Sequence, residues 1–232
     1  MGGCFLSFEK LSSKYVGSTA EHYDRVRAGR KWDSEHEAIE QLLEHVAAGA
    51  RVLDIPVGTG RLLPYFKARG FSTFGMDVSN DMLSQAAAAA KSIGGDVRLE
   101  QSDIRSVPYS DGAFDLVVCL RFLNLIDSDE LKVVVRELAR LSSDKLLLGV
   151  RYVTPLSDVR PSSWDIVRLA FRPILTARRI GRRLLGPRSD IILHRKDYLI
   201  GLLNDLHLKV GEIRYVERRW DNTDYVLLLL QK

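Results

Sequence analysis

Apolar residues recur along this chain with two alternating periods from residue 35 onward. In some segments every third or fourth residue is apolar, as in a helix with one buried face, and between them lie short, almost wholly apolar runs, as in strands. The pattern predicts helices at 35–46, 60–69, 79–92, 129–141 and 195–206, and strands at 51–55, 71–76, 97–101, 114–120, 145–153, 209–217 and 224–230.

This alternation predicts an α/β fold, a Rossmann-like doubly wound sheet of seven mostly parallel strands with an antiparallel last strand. The runs at 51–55, 114–120 and 145–153 are nearly continuous in apolar residues, which is typical of parallel strands covered by helices on both faces. We expect a single domain over 1–232, with an N-terminal helical cap at 1–34 and a helical insertion at 154–193.

A glycine-containing loop follows the first predicted strand. The strand runs into Asp54, and the chain then passes through Pro56, Gly58 and Gly60 before the next helix. Ligands of open α/β sheets bind beyond the carboxyl ends of the strands, where glycine lets the backbone approach them closely. Alone, such a loop is equally typical of a tight turn in any α/β protein.

Two carboxylates follow the next two strands at the same predicted edge. Asp77 ends the second strand, where a carboxylate accepts hydrogen bonds from both ribose hydroxyls of a nucleoside. Asp103 lies just beyond the third strand, in a position to bind an adenine amino group, with Ile104 packed on the base. Each carboxylate alone is typical of a solvated side chain, but their shared register with the loop predicts a nucleoside site.

The segment LDIPVGTG, with Asp77 and Asp103 after it, resembles the class I S-adenosylmethionine-dependent methyltransferases, particularly the branch that methylates small molecules, lipids and sugars. The resemblance covers residues 35–153 well and the last two strands more loosely. It implies S-adenosylmethionine as cofactor and S-adenosylhomocysteine as product. The cofactor site that it implies comprises Tyr23, Arg27, Trp32, Asp54, Pro56, Gly58, Gly60, Asp77, Val78, Met82, Asp103, Ile104 and Leu120.

Two parts of this implied site have alternatives. Tyr23, Arg27 and Trp32 resemble a lid over the cofactor, but a capping helix packed on the sheet is equally consistent with their segment. Pro56 stands where the family has glycine, and because proline lacks an N–H and restricts its own φ angle, the loop is expected to be stiffer there. Gly58 and Gly60 are retained, so we expect cofactor binding to survive.

The acceptor site is predicted near Arg121 and His194. Arg121 follows the fourth strand and is a candidate for binding an anionic acceptor, or for pairing with Asp127 or Glu130. His194 comes at the start of the helix after the insertion and is the candidate catalytic base, with a surface histidine as the alternative. No histidine and carboxylate cluster has the spacing of a metal site, so no metal is expected.

Positive charge is concentrated in the insertion. Residues 159–196 contain ten arginines and lysines against two aspartates, whereas the whole chain has a net charge of +4. Aromatic and aliphatic residues recur with roughly helical spacing over 163–185, a composition typical of an interfacial helix on anionic lipid. Two other interpretations of the insertion are a lid that binds a phosphate-bearing substrate and a lid with a solvated charged face. Nucleic-acid binding is disfavoured, because aromatic residues are sparse in the segment.

A cysteine and the hydropathy of the chain indicate where in the cell the protein is expected. Cys119 ends an apolar run and is predicted to be a buried thiol, which favours a reducing cytoplasm. No apolar run has the length of a membrane span, and the first residues lack the pattern of a secretory signal. We therefore expect a cytoplasmic protein, with peripheral membrane contact through 163–185 left open.

The resulting hypothesis is a methyltransferase that O-methylates a small-molecule or lipid-/sugar-linked acceptor. One alternative is an RNA or protein methyltransferase that docks through the basic insertion. The other is a non-catalytic domain that binds the cofactor as a structural or regulatory ligand.

Overall fold

The computed structural model describes residues 30–94, 96–153, 191–218 and 223–232. The predicted cap at 1–34 and insertion at 154–193 lie largely outside these residues. The helices are α1 (Arg30–Leu43), α2 (Leu63–Ala68), α3 (Asn80–Ile93), α4 (Ser128–Leu141) and α5 (Lys196–Asp205). The strands are β1 (Arg51–Asp54), β2 (Ser72–Asp77), β3 (Val97–Gln101), β4 (Phe114–Cys119), β5 (Ser142–Val153), β6 (His194–Arg195), β7 (Lys209–Arg218) and β8 (Thr223–Gln231).

The strands form one sheet in the order β3-β2-β1-β4-β5-β8-β7, with β6 beside the end of β5. Strands β1 to β5 are parallel, and β8 runs antiparallel between β5 and β7. The predicted fold is therefore confirmed, including the antiparallel last strand. Strand β6 was not predicted, because two residues are too few to show a period.

Both faces of the central strands are buried, as their apolar runs predicted. Val52 and Leu116 pack on the side of α1, α2 and α3, whereas Leu53 and Val117 pack on the side of α4 and α5. Removing each such side chain from water contributes about 1.5–3 kcal/mol. Among the described helices, none has both the length and the apolar composition to cross a membrane.

The helix ends differ from the prediction at several points, since α1 spans Arg30–Leu43 rather than 35–46. Ser79 caps α3, since its hydroxyl accepts a hydrogen bond from the N–H of Met82 at 3.3 Å. The helix predicted from Gly60 starts only at Leu63, because Gly60 has a φ of +80°, which no helical residue adopts.

Gly60 also brings the loop close to α3. A Cβ added at this position would lie 2.8 Å from Cδ1 of Leu63 and 3.1 Å from the backbone Cα of Ala86. The close approach of loop and helix therefore requires the absence of a side chain as well as the positive φ angle.

We expect Gly60→Ala to lower the free energy of unfolding by about 2–4 kcal/mol, since it combines a left-handed alanine with a backbone overlap. Urea denaturation measures this change. The matched control is Gly201→Ala in α5, where an added Cβ meets no atom within 4 Å; it is expected to stabilise the protein by about 0.5–1 kcal/mol. Equal effects at the two positions would contradict the packing role of Gly60.

Candidate functional site

The carboxyl ends of β1, β2 and β4 lie side by side at one edge of the sheet. In the register of these parallel strands, Asp54 at the end of β1 is opposite Gly75 of β2 and Val118 of β4. The loop after β1 continues this edge, since the N–H of Val57 donates to the carbonyl of Met76 at 2.8 Å. The sequence-predicted loop and the ends of two neighbouring strands are thus brought together.

The loop over residues 55–60 leaves room at its surface. The bond between Ile55 and Pro56 is cis, and Gly58 has a φ of +55°, a conformation that suits glycine. A Cβ added to Gly58 would meet no atom within 4 Å, in contrast to the crowded Gly60. A ligand that binds at the carboxyl end of a strand needs free space beside the loop backbone, and the surface at Gly58 provides it.

Asp77 joins β2 to this loop. One carboxylate oxygen accepts the N–H of Gly58 at 3.0 Å, and the other accepts the N–H of Ser79 at 2.9 Å. Burial raises the pKa of Asp77, while these backbone hydrogen bonds act in the opposite direction. The two bonds hold the carboxylate in one orientation at the edge of the sheet.

Asp54 is a buried carboxyl group beneath the loop. Burial raises its pKa to about 8; the positive charge of Arg61 lowers it, and the neighbouring charge of Asp77 raises it. At neutral pH the group is therefore mostly protonated, and it becomes charged readily only if a positive group binds near it. The fold thus holds a buried, mostly neutral carboxyl group beside the glycine loop.

The residues around the predicted adenine site are engaged within the protein. Arg105 pairs with Asp103, with 2.6 Å between its Nη2 and a carboxylate oxygen, a contact that the sequence interpretation missed. Ile104 is buried in the core, so its contact with a base stays a prediction. Val78 is half-buried and its carbonyl accepts Nε2 of Gln101 at 2.9 Å, while Met82 is buried.

A second cluster, which sequence reasoning missed, centres on Glu35 in α1. This side chain has no exposed surface. It accepts hydrogen bonds from Arg121 Nε at 2.9 Å and from Arg121 Nη2, from Arg61 Nη1 at 3.1 Å and from the hydroxyl of Tyr225 at 2.8 Å. Burial alone would raise the pKa of Glu35, but these partners lower it. The carboxylate is therefore charged.

A sequence signal for this cluster exists in hindsight. Glu35 lies one turn before Ile39, and both share the apolar face of α1 with Leu42. A carboxylate on a buried helix face needs a basic partner elsewhere in the chain. The basic partners are Arg61 and Arg121. The sequence predicted for Arg121 either an anionic acceptor or a pairing with Asp127 or Glu130, and the structure gives this residue a left-handed φ of +59°.

His194 is buried, so the alternative of a surface histidine is wrong. It lies in β6 opposite Tyr152 of β5, and its Nε2 is 2.7 Å from the carbonyl of Leu123, just after β4. Since a carbonyl only accepts, Nε2 carries the proton. Burial lowers the pKa of His194, which keeps the ring neutral, and its role as a base stays a prediction.

The remaining predicted residues are placed only in part. Tyr23 and Arg27 lie outside the described residues, and Trp32 lies in α1 with its side chain outside them. Leu120 is buried at the end of β4, where a Cβ added to Gly149 would be 3.1 Å from its Cδ2. Cys119 beside it is a free, buried thiol, as predicted.

Comparison with known sequences links this site to a family. Residues 52–145, which include the loop, Asp77 and Asp103, match the family described as "Methyltransferase domain". Phosphatidylethanolamine N-methyltransferase of Cereibacter sphaeroides is 36% identical over 97 residues, which cover 41% of this chain and 46% of that protein. The chain therefore spans about half the length of this curated relative.

Solved structures share the whole fold at low identity. Magnesium protoporphyrin IX methyltransferase from Synechocystis PCC 6803, a crystal structure with bound S-adenosylhomocysteine, superposes with a TM-score of 0.74 at 16% identity, covering 97% of this chain and 100% of that one. The [4+2]-cyclase SpnF superposes with a TM-score of 0.67 at 17% identity, covering 100% of this chain and 99% of that one. Residues 52–145, with the glycine loop, Asp77 and Asp103, are therefore similar to the methyltransferase domain family, and the chain shares its fold with methyltransferases of solved structure.

Proposed function

We propose that this protein binds S-adenosylmethionine at the carboxyl edge of β1, β2 and β4 and transfers its methyl group to an acceptor. The observation that carries the proposal is the pairing of Asp77 with the N–H of Gly58, at a loop position that is open to a ligand. This pairing fits a nucleoside whose ribose binds Asp77 and whose sulfur lies over the loop.

Each end of the cofactor has a matching group. Asp77 would accept the ribose hydroxyls, and Asp103 would turn from Arg105 to the adenine amino group. Asp54 would face the positive end, because the cofactor carries a sulfonium and an ammonium group. Transfer of the methyl group needs in-line alignment of donor and acceptor with water excluded, so the protein's part is mainly positioning.

For the acceptor we propose a small-molecule or lipid-/sugar-linked compound that is methylated on oxygen. The similar proteins named above act, by their names, on a phospholipid and a porphyrin rather than on a macromolecule. A hydroxyl acceptor must lose its proton, and His194, neutral and packed against the turn after β4, is the candidate base. By its name, the [4+2]-cyclase with the same fold catalyses a reaction other than methyl transfer, so the fold alone does not establish methyl transfer. The alternative is a protein that binds the cofactor without transferring its methyl group.

Cofactor binding is tested by calorimetry with S-adenosylhomocysteine. We expect the wild-type protein to bind it and Asp77→Ala to weaken binding at least about tenfold, since hydrogen bonds to a charged group are lost. The matched control is Asp96→Asn, which changes an exposed carboxylate before β3 and should leave the affinity unchanged. Absence of binding by the wild-type protein, or equal affinities of all three proteins, would refute the proposal.

Asp54→Asn should increase stability and weaken cofactor binding. Because the pKa of Asp54 is raised in the folded state, its protonated form contributes stability that is full below about pH 4 and is lost as pH rises towards 8. The variant should therefore match wild type near pH 4, gain on it by up to about 1.4 kcal/mol per pH unit between pH 4 and 8, and keep a constant advantage above that. Urea denaturation from pH 4 to 9 measures this, and a pH-independent difference would contradict it.

The acceptor is tested with isotopically labelled S-adenosylmethionine and fractionated cell extract, followed by mass analysis of labelled products. We expect label in a small or lipid-soluble product, on oxygen. Label on nitrogen of a phospholipid or amino sugar would overturn O-methylation alone, and label only in RNA or protein would overturn the acceptor class. Cofactor binding with no product from any fraction would favour the non-catalytic alternative.

A further inference from the structure

Glu35 connects four segments that are far apart in the chain. Its carboxylate, in α1, binds Arg61 directly after the glycine loop, Arg121 after β4 and Tyr225 in β8. A charge without exposed surface is stable only when its partners stay in place, and removing one partner of such a pair costs about 3–5 kcal/mol. The four segments are therefore held in one arrangement relative to one another.

The contact with Arg121 constrains backbone as well as side chain. A left-handed conformation in a residue with a Cβ costs about 1–2 kcal/mol, and the surroundings must compensate for it. The guanidinium of Arg121 binds both carboxylate oxygens of Glu35, which holds this turn at a φ of +59°. Glu35 thus helps to fix the backbone conformation of the turn that follows β4.

The backbone of β5 leaves space for the third partner of Glu35, Tyr225. A Cβ added to Gly149 would lie 2.6 Å from the hydroxyl oxygen of Tyr225, so only glycine lets that hydroxyl reach Glu35. Burial, and then the charge of Glu35, raise the pKa of Tyr225 well above its usual range, so the hydroxyl stays neutral and donates. The guanidinium of Arg151 lies over the Tyr225 ring, 5.3 Å from its centroid, and pairs with Glu217.

The position of the Glu35 cluster along the sheet places it near the methionine end of a bound cofactor. In the proposed function the nucleoside lies at β2 and β3, where Asp77 and Asp103 are found. The strand order places β4, with Arg121 at its end, on the opposite side of β1. Arg61 follows the loop that lies between the two sides. The Glu35 cluster is thus beside the methionine chain of a bound cofactor and away from its base.

We propose that Glu35 is a positioning residue for the methionine end of the cofactor, acting through Arg61 and Arg121. This inference rests on the proposed function. Glu35 itself contacts no ligand; it holds the glycine loop and the turn after β4 at the separation that the sulfonium and the amino-acid chain require.

The test compares two ligands that differ only at this end. S-adenosylhomocysteine has the full amino-acid chain, whereas 5′-methylthioadenosine has the same nucleoside and sulfur without it. In calorimetry we expect Glu35→Gln to bind S-adenosylhomocysteine about tenfold more weakly and 5′-methylthioadenosine within about twofold of wild type. The matched control is Glu37→Gln, an exposed carboxylate two residues along the same helix, which should change neither affinity.

Three results would overturn the inference. Equal weakening of both ligands would mean that Glu35 only supports the fold. Unchanged binding of S-adenosylhomocysteine would mean that the cluster is unconnected with the site. Tighter binding would mean that the arginines act as free charges attracting the ligand's carboxylate, since the variant removes their counter-charge. If the wild-type protein binds neither ligand, the proposed function itself fails.

A second variant covers the case in which Glu35→Gln does not fold, as checked by circular dichroism. Arg121→Lys keeps the positive charge but replaces the planar fork by a single ammonium, so it tests geometry without changing the net charge. We expect it to weaken S-adenosylhomocysteine about fivefold and to leave 5′-methylthioadenosine unchanged. Parallel losses for both ligands would count against a positioning role.

Discussion

A fully buried carboxylate requires the segments around it to supply hydrogen bonds and positive charge, and in this fold that carboxylate is Glu35. Its desolvation must be offset by hydrogen bonds and opposite charge, or the helix that carries it would not pack on the sheet. Two guanidinium groups and one phenol meet the condition. These groups come from the residue after the glycine loop, the end of β4 and β8. Pairing the one carboxylate of Glu35 therefore also fixes the elements around the proposed cofactor site.

The same edge contains a carboxyl group in the opposite situation. Asp54 is as deeply placed as Glu35, but burial dominates its electrostatics and keeps it mostly protonated at neutral pH. The difference lies in the neighbours, since two arginines bind Glu35 whereas the charge of Arg61 only partly offsets burial at Asp54. A buried carboxyl group with a strongly raised pKa beside an open loop is a candidate binding-site group.

The fold does not determine the acceptor. Proteins that superpose over nearly the whole chain include, by their names, a porphyrin methyltransferase and a [4+2]-cyclase, both below 20% identity. What they have in common is the sheet and its carboxyl edge, whereas chemistry depends on the side chains added around that edge. Among the described residues of this protein, His194 and the turn after β4 lie beside that edge. Most of the basic segment at 159–196 lies outside the described residues.

The sequence by itself determined the order of helices and strands, the burial of both sheet faces and the convergence of Asp54, Gly58 and Asp77 at one edge. These features depend on local periods, on glycine and on the rule that parallel strands end on the same side, so they can be read from short segments. Only the tertiary structure decided that Arg121 binds Glu35 and that Tyr225 joins them, across 86 and 190 residues of chain. Contacts at such separations leave no periodic pattern in the sequence. Their energy depends on burial, and burial arises only when several distant segments pack together.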